Sequence, residues 1–198
     1  MNRRLILPLV VFLFGAIALA AAAILTFSPG NRTSGSGTAS VGGPFTLTTQ
    51  DGKPLSDTDL RGSPFLVFFG FTHCPDICPT KLFEISEALR AAGDGDKAKK
   101  LRALFITVDP ERDTPEVMKS YLGSFDPRIT GLTGDRAAVD ATIKAYRAYA
   151  KKTPLKDGDY TMDHTALVYL MGKDGSFVGA FNIEQTPEQA AAEWLRHS

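Results

Sequence analysis

Two cysteines separated by three residues, Cys74 and Cys78, lie between an apolar segment and a segment with helical periodicity. The preceding residues 65–69 (FLVFF) are typical of a buried strand. Pro79 has no amide proton and a fixed φ, which favours the first position of a helix. Cys78 would then be the N-cap residue, and the positive end of the helix dipole would favour thiolates at both sulfurs. This turn therefore predicts a reactive or metal-binding dithiol.

Length and charge limit the class of protein. A chain of 198 residues has room for one sizeable domain with its own hydrophobic core. Its formal net charge is zero and its sequence pI is about 6.8, so nothing favours a polyanionic partner. We therefore expect no nucleic-acid binding.

The N-terminal segment predicts export. Arg3 and Arg4 precede an apolar run at residues 5–25, which has the roughly 20 residues that a helix needs to span a bilayer. The flanking arginines place the N-terminus in the cytoplasm. We expect residues 1–27 to form a single-pass anchor in a bacterial inner membrane, with the globular part in the periplasm. The alternative is a cleaved signal peptide with its cleavage site in the alanine-rich residues 18–23, although such apolar regions have only about 7–15 residues.

The remaining chain divides into a tether and one domain. Residues 28–43 are rich in Gly, Ser and Thr and predict a flexible tether, and residues 44–198 predict the folded domain. Periodicity predicts strands at residues 45–49, 65–70, 101–108, 129–132, 166–171 and 177–181, and helices at 80–91, 114–122, 135–150 and 187–196. This order predicts an α/β domain with a thioredoxin-like fold, in which helices flank a mixed central sheet.

Export changes the interpretation of the cysteines. In an oxidising compartment an unprotected pair tends to form a disulfide, so a working dithiol there needs a reductant or a metal. A structural disulfide between Cys74 and Cys78 is the alternative. It would close a very short loop and would therefore constrain the unfolded chain little.

A metal site would need a third ligand. Two thiolates suit Cu(I), and histidine is the obvious further donor. Of the three histidines, His197 lies near the C-terminus, and His73 adjoins Cys74 with a ring that the chain direction turns away from the sulfurs. His164 lies in a predicted loop before an apolar strand, which a thioredoxin-like topology brings beside the cysteine turn. We therefore predict His164 as the third ligand. Asp163 either orients its ring, contributes negative charge beside it or is a simple surface turn residue.

Three motifs together resemble the Sco/SenC family. They are THCPDICP at residues 72–79, VDPERDT at residues 108–114 and YTMDHTALVY at residues 160–169. The resemblance covers nearly the whole predicted domain, in the family's order, and includes the N-terminal anchor. Members of this family are membrane-anchored, thioredoxin-like copper chaperones for cytochrome c oxidase assembly.

The resemblance carries specific expectations. The family's metal-binding cysteines fall on Cys74 and Cys78, and its histidine ligand falls on His164. It implies copper, as Cu(I) or Cu(II), and delivery to the binuclear copper centre of cytochrome c oxidase subunit II. It also implies a possible reductase role toward that subunit's cysteines. We expect a monomeric soluble domain, with residues 109–114 as a surface loop at the rim of the site or a simple turn and helix cap.

Three other functions remain to be weighed. A thiol–disulfide oxidoreductase is the main alternative, since it would use the redox dithiol Cys74 and Cys78 and need no histidine. A thiol peroxidase of the peroxiredoxin type is disfavoured, because its Pro-x-x-x-Thr-x-x-Cys motif fails at both cysteines. A docking module with a structural disulfide ranks last.

Overall fold

The computed structural model describes residues 40–156 and 158–198. The strands of this part are β1 (Thr46–Thr49), β2 (Pro54–Ser56), β3 (Phe65–Gly70), β4 (Arg102–Thr107), β5 (Ile129–Thr133), β6 (Ala150–Pro154), β7 (Tyr160–His164), β8 (Val168–Met171) and β9 (Phe177–Ala180). The α-helices are α1 (Ile77–Ala92), α2 (Pro115–Leu122), α3 (Arg136–Ala145) and α4 (Pro187–Arg196), and short 3-10 helices cover Asp57–Leu60 and Ala98–Lys100.

Seven strands form one mixed sheet in the order β2-β1-β5-β4-β3-β8-β9. The central strands β3, β4 and β5 are parallel. Strand β8 pairs antiparallel with β3 and β1 pairs antiparallel with β5, and the edge strands β9 and β2 pair antiparallel with β8 and β1. Strands β6 and β7 form a separate antiparallel hairpin. The predicted mixed sheet is confirmed, and β3 delivers the cysteine turn at the carboxyl end of the parallel strands, where open α/β sheets place their sites.

Helices cover both faces of the sheet. Neighbouring side chains on a strand point to opposite faces, and Phe68 and Phe69 on β3 show this. The Phe68 ring contacts Phe105, which packs on Tyr121 of α2, with centroid distances of 6.0 and 5.9 Å. The Phe69 ring instead packs on Tyr146, at the end of α3, at 5.5 Å. The core is therefore double-sided and fixes the position of β3.

Two local predictions were wrong. The helix predicted over residues 135–150 ends at Ala145, because Arg147 adopts a positive φ of 54° and the chain turns into β6. His164 is not in a loop: it is the last residue of β7, paired with Ala150 of β6. By contrast, the helices predicted from Thr114 and over residues 187–196 are confirmed, each with a threonine N-cap and proline in its first turn.

The predicted anchor at residues 1–27 and most of the predicted tether at residues 28–43 lie outside the described residues. Within residues 40–156 and 158–198, no helix is both long and apolar enough to cross a membrane.

Candidate metal centre

The fold brings the three predicted ligands together. Cys74 lies in the turn after β3, Cys78 lies in the first turn of α1, and His164 ends β7. Their sulfur and nitrogen ligand atoms all lie within 4.8 Å of one another. The Cys78 Sγ atom is 3.5 Å from the His164 Nε2 atom. A single small cation placed among them would contact all three residues.

Cys78 lies inside α1, because the helix begins at Ile77 and its N-cap residue is Asp76. The prediction that Cys78 is the N-cap was therefore wrong by two residues. The Cys78 backbone N–H donates to the Cys74 Sγ atom at 3.4 Å. The N–H groups of a first helical turn have no partner within the helix. The N–H of Cys78 is one of these, and it holds the sulfur of Cys74 beside that of Cys78.

Burial changes the acidity of the Cys78 thiol. The Cys78 side chain is fully buried, and this burial raises the pKa of its thiol well above the ordinary value. The expectation that the helix dipole makes both sulfurs acidic is therefore wrong for Cys78. Without a bound metal ion this thiol is protonated at neutral pH, and a soft metal ion has to displace the proton to bind.

The imidazole of His164 presents a lone pair to the sulfurs. Its Nδ1–H donates to the Thr165 carbonyl oxygen at 3.1 Å, which leaves Nε2 unprotonated and directed at Cys78. Burial lowers the pKa of His164, and this favours the neutral, ligating form. The Asp163 carboxylate accepts from the Thr153 hydroxyl at 2.9 Å and does not orient the ring. Its negative charge opposes the lowering of the His164 pKa, which is the other role predicted for it.

Gly70 makes room for the sulfur of Cys78, and the sequence analysis did not identify it. A Cβ atom at this position would lie 2.8 Å from the Cys78 Sγ atom and 2.5 Å from the Phe105 ring. A side chain at the end of β3 would therefore displace either the ligand or the core. The available signal was a glycine that ends a buried apolar strand directly before the cysteine turn.

Asp113 ties the cysteine turn to the sheet. Its buried carboxylate accepts hydrogen bonds from the Thr72 hydroxyl at 2.6 Å, the Thr72 N–H at 3.1 Å and the Thr107 hydroxyl at 2.5 Å. Burial raises the pKa of Asp113, and these hydrogen bonds oppose the shift. Thr72 lies two residues before Cys74, so this carboxylate fixes the backbone that presents the first sulfur.

The same loop also holds the hairpin that carries His164. The Arg112 guanidinium lies 3.7 Å from the centroid of the Tyr160 ring and donates to the Tyr160 carbonyl oxygen at 3.1 Å. The Tyr160 hydroxyl donates to Asp109 at 3.0 Å, and Arg112 donates to the same buried carboxylate at 2.5 Å. The expected surface loop at residues 109–114 is therefore partly buried, and it joins both halves of the site.

The other two histidines are not part of this ligand group. His73 is exposed, and His197 follows the last residue of α4. Neither belongs to the one group of potential metal ligands found within residues 40–156 and 158–198. Both cysteines are free thiols. The site therefore offers two sulfur donors and one imidazole nitrogen, a soft donor set that fits the predicted copper.

A thioredoxin-like sheet with a Cys–Cys–His centre at its carboxyl edge defines a metal-binding member of that fold class. The family model "SCO1/SenC" matches residues 33–197, which is most of the chain. The chain belongs to the SCO1/SenC family, as its motifs predicted.

Three relatives illustrate the match. The structure of Bradyrhizobium japonicum ScoI with copper bound is 61% identical, with a TM-score of 0.77, and the match covers 80% of this chain and 99% of that one. The mitochondrial SCO1 homologue of Mus musculus is 42% identical over 79% of this chain and 56% of its own length, so this chain spans about half of the mouse protein. The structure of BsSco is 27% identical with a TM-score of 0.62, over 80% of this chain and 93% of that one. BsSco is a member of the Sco family of cytochrome c oxidase assembly proteins, and a disulfide switch was identified in it.

Proposed function

We propose that this protein is a copper chaperone that delivers copper to the binuclear copper centre of cytochrome c oxidase subunit II. The observation that carries the proposal is the convergence of Cys74, Cys78 and His164 within 4.8 Å. Two thiolates and one imidazole bind Cu(I) with soft-ligand preference. A site with three protein ligands holds copper, yet leaves a position through which an acceptor's ligand can approach.

The relatives support copper as the cargo and oxidase assembly as the setting. ScoI has a solved copper-bound form, and BsSco belongs to a family of oxidase assembly proteins. Subunit II is the acceptor that the family resemblance implies. The domain would present one copper ion at the carboxyl edge of its sheet and release it to that acceptor.

We further propose that residues 1–27 anchor the protein in a bacterial inner membrane and that the domain lies in the periplasm. The support is the apolar run at residues 5–25 with arginines on its N-terminal side. A tether at residues 28–43 would let the domain reach another membrane protein's soluble part.

A thiol–disulfide oxidoreductase is the second candidate, and one observation favours it. The sulfurs of Cys74 and Cys78 lie within 4.8 Å of each other as free thiols, and a disulfide switch was identified in BsSco. Such an activity would keep the cysteines of the copper acceptor reduced. It needs both sulfurs and makes no use of the His164 lone pair.

A transfer experiment separates the two functions. Residues 40–198 are loaded with one equivalent of Cu(I) and mixed with the reduced, copper-free soluble domain of subunit II. We expect copper to move to the acceptor faster than it does from a small-molecule copper complex of equal affinity. Copper that stays on the loaded protein, combined with reduction of an oxidised acceptor by the copper-free protein, would contradict the chaperone function and favour the oxidoreductase.

The fragment is suitable for this experiment. The ScoI structure is matched over 99% of its length by 80% of this chain, so the corresponding domain of a relative folds by itself. The described hydrophobic core lies within residues 40–198.

A further inference from the structure

The hairpin of β6 and β7 carries the one ligand that does not come from the cysteine turn. It forms a two-stranded sheet of its own, whereas Cys74 and Cys78 follow β3 of the seven-stranded sheet. Each of its strands has five residues, and among them only Met162 is buried. The position of His164 relative to the sulfurs therefore depends on the contacts that hold this hairpin against the domain.

Tyr160, at the other end of β7 from His164, is the centre of these contacts. Its hydroxyl donates to the buried Asp109 carboxylate at 3.0 Å, and its carbonyl oxygen accepts from Arg112 at 3.1 Å. The Arg112 guanidinium and the Lys152 ammonium lie over its ring, 3.7 and 3.8 Å from the centroid. The hydrogen bonds and ion pairs that join the described hairpin residues before His164 to the rest of the domain run to Asp109, Glu111 and Arg112.

Arg112 also contacts the aromatic ring beside the histidine ligand. Its guanidinium carbon lies 5.9 Å from the centroid of the Phe71 ring, and the Phe71 ring packs edge-on against the His164 ring at 5.8 Å. The Arg112 Nη2 atom is buried and has no hydrogen-bond partner among the described residues. This arginine therefore stacks on the tyrosine that fastens the hairpin and on a ring that packs against His164.

The strand geometry connects Tyr160 to the ligand. Alternate residues of a strand point to the same face, so Tyr160, Met162 and His164 share one face of β7. Four residues of extended chain span about 13 Å. At that separation along the strand Tyr160 acts on the metal centre through the position of β7 and not by contact with the ion.

We propose that Tyr160, held by Asp109 and Arg112, is a positioning residue of the metal centre: it keeps the hairpin where the His164 Nε2 atom can reach an ion bound by the two sulfurs. This inference rests on the proposed copper-binding function and extends it to residues outside the ligand group. The sulfurs belong to other elements, the turn after β3 and the helix α1. Loosening Tyr160 should therefore weaken the nitrogen ligand and leave both sulfur ligands in place.

A double-mutant cycle in residues 40–198 tests this assignment. The four proteins are the wild type, Tyr160→Ala, His164→Ala and the double variant, and their Cu(I) affinities are measured by competition with bathocuproine disulfonate. We expect Tyr160→Ala to weaken binding about tenfold in the wild-type background and by less than about twofold in the His164→Ala background. X-ray absorption at the copper edge should show a weaker nitrogen contribution in Tyr160→Ala, with two sulfur ligands retained.

Two further variants separate positioning from a general effect on folding. Tyr160→Phe keeps the stacked ring and loses only the hydrogen bond to Asp109, so it should recover most of the affinity, and its smaller loss should also vanish in the His164→Ala background. Tyr149→Ala is the matched control, because Tyr149 lies just before β6 and its side chain is exposed. It should bind Cu(I) like the wild type.

The outcomes distinguish this assignment from the proposed function. Wild-type affinity in Tyr160→Ala, or a loss of equal size in both backgrounds for either Tyr160 variant, would overturn the positioning role alone. A wild-type domain that binds no Cu(I) would overturn the proposed function together with it.

Discussion

Replacing Cys78 with serine is expected to weaken Cu(I) binding by about three orders of magnitude or more, because a soft thiolate is replaced by a hard alcohol. Cys78 is fully enclosed beside Gly70, so no water or external ligand can take the place of its sulfur. The loss should be seen in competition titrations of residues 40–198 with a Cu(I) chelator.

The control for this prediction is Ala88→Ser. Ala88 is equally buried in the same helix, and a serine there adds a hydroxyl without touching the site. We expect it to lower the free energy of unfolding by about 1–3 kcal/mol and to leave copper affinity unchanged. An affinity of Cys78→Ser within tenfold of the wild type would show that copper is held elsewhere.

Asp113→Ala is expected to lower the free energy of unfolding of the copper-free domain by about 2–4 kcal/mol. The substitution leaves the Thr72 N–H and two threonine hydroxyls without their buried acceptor. It also frees the turn that carries Cys74, so copper affinity should fall with stability. Urea denaturation followed by far-UV circular dichroism measures the first effect, and chelator competition measures the second.

Two further variants make this prediction specific. Asp96→Ala removes an exposed carboxylate from the loop after α1, and such surface substitutions usually change stability by less than about 0.5 kcal/mol. Asp113→Asn keeps the shape and one acceptor oxygen, so its loss should be smaller than that of the alanine variant. If Asp113→Ala unfolded at the same urea concentration as Asp96→Ala, the bracing role of this carboxylate would be refuted.

The sequence predicted the parts of the fold that apolar periodicity encodes. Strand β3 and helix α1 have strong patterns, and Thr114-Pro115 is an N-terminal helix signal. The hairpin of β6 and β7 was missed because nearly all of its residues are exposed or only partly buried, with lysines at positions 151 and 152, and no alternation of apolar residues marks it. The end of α3 was missed because Arg147, not glycine, takes the positive φ.

The three ligands of the candidate site were predicted from the topology, but the residues that hold them in place were not. His164 was placed beside the cysteines because of the strand that follows it, and the structure brings its ring within 3.5 Å of Cys78. The bracing residues Asp109 and Asp113 were expected in a surface loop, since charged residues are usually exposed. Their burial depends on partners such as Thr72, 41 residues away from Asp113, and no local pattern encodes such a contact.

The most direct test of the three-ligand site is X-ray absorption spectroscopy at the copper edge, on residues 40–198 loaded with one equivalent of Cu(I). We expect a first shell of two sulfur atoms and one imidazole nitrogen, with the nitrogen contribution absent in His164→Ala and retained in His73→Ala. A wild-type spectrum with sulfur ligands alone, or one that His164→Ala leaves unchanged, would contradict it.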